Sequence, residues 1–187
     1  NEDGLSNVPG VYITGDLTGI PSLKFSADTG ARSIHHMLAD GEFNKARNQK
    51  KTGVHDVAII GAGVSGSAAA IEASRQGLDF VLYEASQTFS TLKNFPKGKP
   101  IFTYPTDMVP AGDLTFNYEV KEPLIEDLDA VVATICDPQT TLGVEHQCVR
   151  RAELPVQRAD LSPLFDERAV RGVLEDAARR APLSSCL

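Results

Sequence analysis

Gly61, Gly63 and Gly66 stand in the spacing G-x-G-x-x-G, directly after the β-branched apolar run of residues 57–60. Glu84 follows 18 residues after Gly66, at the end of a second apolar run over residues 80–83. Glycines at that spacing suit phosphate binding. The first allows a sharp turn, the second lets a pyrophosphate approach the backbone, and the third lets a helix pack closely on a strand. The N–H groups at the start of the following helix offer partial positive charge to an anion. A carboxylate at position 84 suits the hydroxyls of an adenosine ribose and disfavours a 2′-phosphate there. The candidate contacts are therefore Gly61, Ala62, Gly63, Val64, Ser65 and Gly66 on the turn, with Glu84 and Ala85 at the second strand's end. Ser65 and Ser67 have no His–Asp partners that would mark a nucleophile.

Such a turn functions only between a strand and a helix, and the flanking residues provide both. Residues 57–60 read as a buried parallel strand. Residues 65–76 read as a helix kept slim by Ala69, Ala70 and Ala73, with Gly77 as its C-terminal cap. The fold class that follows is α/β: an incomplete Rossmann-like parallel sheet built on a dinucleotide-binding βαβ unit, with an irregular C-terminal extension.

Composition narrows the partners. The chain has 187 residues, a net charge of −7 and 42% hydrophobic residues, which is ordinary for a globular protein and unlike a nucleic-acid footprint. No run of 18 apolar residues is present, so no membrane partner is expected. No secretory-signal pattern opens the sequence. Cys136, Cys148 and Cys186 form no C-x-x-C pair or metal cluster and read as reduced thiols of a cytoplasmic protein. Asn1 in place of Met suggests a processed chain or a piece of a longer one. Residues 1–121 hold eight lysines and three arginines, while residues 122–187 hold seven arginines and no lysine, which suggests a boundary near Glu122.

Residues 10–16 read as a strand ending in Gly15-Asp16, and residues 22–38 as a helix with Ser22 at its N-cap and Gly30 weakening its middle. Asp16 could equally be an acid capping a turn. His35 and His36 suit the C-terminal end of that helix. Residues 39–53 are polar and lack periodicity, as a linker would. The proline-rich stretch 86–121 allows short strands at 100–104 and 114–120. Tyr104 and Met108 suit either a pocket wall or packing. Helices are expected over 122–135, where Glu126, Asp127 and Asp129 form a solvated face, and over 163–181.

The segment DVAIIGAGVSGSAAAIEASRQGLDFVLYE resembles the FAD-binding start of the flavin-dependent pyridine-nucleotide-disulfide oxidoreductases, thioredoxin-reductase-like group. PGVYITGDLTG, at 9–19, is similar to that family's second flavin motif. The resemblance implies that Gly15 and Asp16 contact the ribityl chain and that the next helix points at the flavin ring. Tyr104-Pro105-Thr106-Asp107-Met108 resembles a segment of the bacillithiol-disulfide-reductase-type branch. The matches cover residues 8–38 and 54–121, but in reversed order: Asp16 precedes Gly61 by 45 residues.

The resemblance implies part of an enzyme that passes hydride from NAD(P)H through FAD to a disulfide or another acceptor. FAD is the expected cofactor of this chain and NAD(P)H that of a longer parent, for which a homodimer is an open expectation. No catalytic residue and no metal ligand is expected here. The alternatives are a regulatory or scaffold module that binds a dinucleotide without turnover, and an inactive truncated product. The expected layout is a flavin-motif piece over 1–38, a linker over 39–53, the FAD-binding unit and excursion over 54–121, and a helical extension over 122–187. In a permuted arrangement the Gly15-Asp16 strand would add beside residues 57–60, with Asp16 within ~10 Å of the glycine turn, about the reach from pyrophosphate to ribityl chain.

Overall fold

The two apolar runs flanking the glycines form parallel strands β1 (Val57–Ile60) and β2 (Phe80–Glu84), with Val57 opposite Phe80 and Ile60 opposite Tyr83. Helix α3 (Val64–Arg75) is the crossover between them. A third parallel strand, β3 (Gln147–Arg151), pairs with β2 and gives the order β1-β2-β3. The structure, a computed structural model, describes residues 4–136 and 147–151. These belong to the first of two units, Asn1–Glu153 and Leu154–Leu187, and the helix expected at 163–181 lies outside them. The fold is α/β with a small Rossmann-like parallel sheet. Among the described residues β1 lies at the edge of the sheet, and only one of its faces is covered. Val57 and Ile59 are buried while Ile60 is 63% exposed, so the strand is less enclosed than its run of apolar residues predicts.

Helix α1 (Leu23–Ala39) packs along α3. Small buried residues line both helices, Ala27, Gly30 and Ala31 on α1 and Ala68, Ala69, Ala70 and Ala73 on α3. Gly30 weakens the helix by propensity, yet a Cβ there would overlap the Ser65 carbonyl, so the glycine is what lets the two helices meet. Ser22 occupies the N-cap position, but its hydroxyl donates to Tyr104 O at 2.8 Å instead of capping.

The segment read as a strand over 10–16 does not join the sheet. Tyr12 makes a single antiparallel bridge to Leu5. The chain then enters a 3-10 turn, Gly15–Thr18. Gly15 has φ 73° and donates its N–H to Thr29 Oγ1 at 3.0 Å, so it leaves extended geometry at that point. The strand addition beside β1 expected of a permuted arrangement is therefore not formed.

The stretch 39–53, expected to be a linker, holds helix α2 (Gly41–Asn48). Asp40 caps it by accepting the Glu42 N–H at 2.9 Å. α2 buries no residue. It is instead anchored by charge: Arg47 and Lys50 lie 3.3 and 2.7 Å from the buried Asp56 carboxylate, and Lys50 also reaches Asp79 at 3.1 Å.

After β2 come a short helix, α4 (Ser90–Lys93), and α5 (Lys121–Cys136). Asp129 of α5 accepts from Lys93 at 2.9 Å and from Thr88 at 3.0 Å, so one acid of the expected solvated face ties α5 to α4. The excursion between α4 and α5 contains one isolated bridge, Pro100 to Val120, where short strands were expected. It is fastened to α1 through Ser22, through Lys24 Nζ at 2.7 Å from Pro105 O and 2.9 Å from Thr106 O, and through the Ala111 N–H on Asp28 at 2.9 Å.

His35 does not simply sit at a helix end. Its Nε2 lies 2.8 Å from Oε1 of the fully buried Glu72 on α3, which also accepts from Gln76 at 2.7 Å. Burial pushes the Glu72 pKa up, but the bonds from Gln76 and His35 and the charges of Arg75 and His35 outweigh it, so the net shift is downward. At Asp79, too, burial is outweighed by His55 and Lys50, and the pKa is lowered. A carboxylate whose pKa is lower in the folded state binds fewer protons there than when unfolded. Its stabilisation is full above the ordinary value, 4.5 for Glu72 and 3.8 for Asp79, and is lost as pH falls through the lower folded value. The thermal midpoint is therefore expected to drop as pH falls below about 4.5, and Glu72→Gln should remove part of that drop. Melting curves between pH 7 and 3 check this; identical acid slopes in both proteins would dismiss Glu72 as a contributor.

Candidate dinucleotide-binding site

β1 gives way to α3 within three residues, and the turn between them is fixed from both sides. Gly61 makes the reversal at φ 94°, a left-handed value that side chains disfavour, and its N–H donates to Tyr83 O at 2.7 Å. Ala62 is fully buried. Its N–H donates to Glu84 Oε2 at 2.7 Å, and its carbonyl accepts the Phe89 N–H at 2.9 Å. Phe89, buried at φ 51°, holds a backbone conformation rare outside glycine, a feature with no signal in the sequence.

Gly63 occupies the N-cap position of α3, and no side chain caps that helix. A Cβ added at Gly63 meets nothing within 4 Å. The space in front of Gly63, at the start of α3, is thus open, and uncapped N–H groups of a first helical turn face such a space in a phosphate cradle. The residues present fit a pyrophosphate. At Gly66 the opposite holds: a Cβ would overlap the Gly61 carbonyl oxygen and touch Ile59. Gly63 thus borders open space, while Gly66 sits where helix and strand pack closely.

Glu84 links the two halves of the turn. Besides Ala62, it accepts from the Ser86 N–H at 2.9 Å and the Ser86 hydroxyl at 3.2 Å, both at Oε1. Burial pushes its pKa up, but these donors and the N–H of exposed Ala85 outweigh it and hold the carboxyl below its usual range. Glu84 is therefore an anion at neutral pH. Oε2 makes one of these hydrogen bonds, and a carboxylate oxygen has room for a second donor such as a ribose hydroxyl.

The N-terminal motif lies against this turn. A Cβ added at Gly15 would come within 3.0 Å of Ser65 Cβ. The Ser65 hydroxyl, a candidate phosphate contact by position, donates to Thr14 Oγ1 at 2.8 Å; it ties the two segments together, leaving the Ser65 backbone as the part at the cradle. Asp16, next to Gly15, is exposed, and its Oδ1 accepts the Ser26 hydroxyl at 2.9 Å. Thr14, Ser26 and Thr29 are the residues sequence reasoning missed. Hydroxyls inside or beside a helix carry no sequence signal for the long-range partner they find. Of the other candidates, Ser67 is buried beneath the turn and bonds Ala62 O at 3.4 Å. Tyr104 is 64% exposed and stacks on Phe102 at 6.3 Å between ring centres, while Met108 is half-buried.

Comparison with known families agrees with this geometry where the glycines lie. The family model described as NAD(P)-binding Rossmann-like domain matches residues 59–109, from the end of β1 through the turn, Glu84 and most of the excursion. Gly15 and Asp16 fall outside the match. No curated protein and no solved structure matches the chain. Over residues 59–109 the chain is thus similar to NAD(P)-binding Rossmann-like domains, which agrees with a dinucleotide-binding module. Among the described residues no helix is long and apolar enough to cross a membrane.

Proposed function

We propose that this chain forms the FAD site of a flavin-dependent oxidoreductase, one that passes hydride from NAD(P)H through the flavin to a disulfide or another acceptor. The observation that supports the reading is the packing of Gly15, the residue before the exposed Asp16, on Ser65 at the start of α3, the helix read as bearing the pyrophosphate cradle. A ligand long enough to use both groups needs an adenosine ribose for Glu84, a pyrophosphate for the start of α3, and hydroxyl donors beyond the pyrophosphate for Asp16. FAD has all three in that order. When bound, the flavin supplies the hydride acceptor and donor. The chain's own residues bind and orient it: Glu84 takes the ribose, Gly63 leaves room for the phosphates, and Asp16 accepts from the ribityl chain.

The test is a titration of the purified chain with FAD, followed by an absorbance scan and addition of NAD(P)H. A yellow protein is expected. Bleaching by NAD(P)H marks turnover, and a yellow protein that stays oxidised marks a binding module. A chain that takes up no FAD defeats the reading.

Glu84 supplies a prediction of its own. Glu84→Ala is expected to weaken FAD binding by about 1.5–3 kcal/mol, the cost of losing a hydrogen bond to a charged acceptor. Calorimetry checks this, and NADP binding as tight as that of NAD would overturn the ribose role.

A further inference from the structure

We infer that Ser26 is a positioning residue that holds Asp16 for the ligand, and that the hydroxyls of α1 register the N-terminal turn on the glycine turn. The inference rests on the dinucleotide reading above and adds a group to it. Ser26 is 5% exposed and lies in the second turn of α1. Its hydroxyl donates to Asp16 Oδ1 at 2.9 Å. One turn further along the helix, Thr29 Oγ1 accepts the Gly15 N–H at 3.0 Å. Two consecutive residues of the 3-10 turn are therefore gripped by two hydroxyls on one face of α1. The same face meets α3 at Ser65 through Gly30, and Ser65 donates to Thr14, the residue before Gly15.

The consequence is geometric. Asp16 is exposed, and a free aspartate on a surface turn would sample several rotamers. Ser26 occupies one oxygen and so restricts the side chain. Oδ2 then remains as an acceptor toward solvent, and an acceptor of that kind selects a ligand carrying hydroxyl donors. Because Ser26 is buried and belongs to the helix packed on α3, the position of Asp16 is tied to the position of the cradle. An ADP-bearing ligand with a polyol chain beyond its pyrophosphate gains from that tie. ADP alone does not reach it.

The experiment measures dissociation constants for FAD and for ADP on the full chain, in wild type, Ser26→Ala, Ser26→Thr and Asp16→Ala. Ser26→Ala is expected to weaken FAD about five- to tenfold, less than the loss of a direct hydrogen bond to a charged group because Ser26 acts only through Asp16, and to leave ADP within about twofold. Ser26→Thr restores the hydroxyl and should recover FAD affinity. In an Asp16→Ala background, Ser26→Ala should have no further effect, because the residue acts only through the carboxylate. Unchanged FAD affinity in Ser26→Ala overturns the inference, as does an equal loss of FAD and ADP, which would mark general damage to the fold. If wild type binds ADP but FAD no better, Asp16 is not a contact and the inference falls while the cradle stands. If wild type binds neither, the dinucleotide reading and the inference fall together.

Discussion

Gly66→Ala is expected to cost more than about 3 kcal/mol of stability and to lower the thermal midpoint by roughly 6–12 °C. The added methyl would overlap the carbonyl oxygen of Gly61 and lie against Ile59, a buried residue of β1. Neither neighbour is the free end of a flexible side chain. The Gly61 backbone is fixed by its hydrogen bond to Tyr83 O at 2.7 Å, and α3 is pressed from its other side by α1. Relief requires α3 to lift from the sheet, which uncovers apolar surface between them. Gly30→Ala should act in the same direction from the other helix, because its methyl meets the Ser65 carbonyl. Differential scanning calorimetry of both variants checks the pair. A Gly66→Ala protein that melts with the wild type would mean that the strand and helix are not as closely packed as described.

These two glycines show what the sequence discloses and what it conceals. The fingerprint was legible because its demands are local: a turn, an open approach and a close contact all fall within six residues, and each needs glycine for a stated reason. The parallel βαβ unit was legible for the same reason, since apolar strand runs flank an alanine-rich helix. Gly30 was read as a weak point because propensity concerns one helix alone, whereas its role is set by Ser65, which is distant in sequence. Helix α2 escaped notice because no apolar stripe builds it. A capping aspartate and ion pairs to Asp56 and Asp79 hold it, and polar residues without periodicity look the same in a loop. The strand expected over 10–16 failed at Gly15, whose left-handed φ and bond to Thr29 divert the chain into a turn. The packing of Gly15 and Thr14 on Ser65 is long-range and depends on side-chain hydroxyls, so no sign of it is legible in the sequence.

Gly63→Val isolates binding from folding, which Gly66→Ala does not. Gly63 has φ −75° and ψ −170°, a conformation any residue adopts, and a Cβ there meets no atom within 4 Å. The fold should therefore tolerate valine with a loss of about 1 kcal/mol at most, the ordinary cost of a poor N-cap residue. The branched side chain would fill the space in front of the first turn of α3, where uncapped N–H groups await an anion. Affinity for FAD and for ADP should fall together by about 100-fold or more, roughly 3 kcal/mol, since both place a pyrophosphate there. That joint loss separates this variant from Ser26→Ala, whose effect is confined to the ligand with a polyol chain. Circular dichroism and a melting curve establish that the fold persists, and calorimetric titration reads the affinity. A Gly63→Val protein that folds and still binds ADP at wild-type strength would show that the anion does not sit on this turn, and both Glu84 and Asp16 would lose the ligand that relates them.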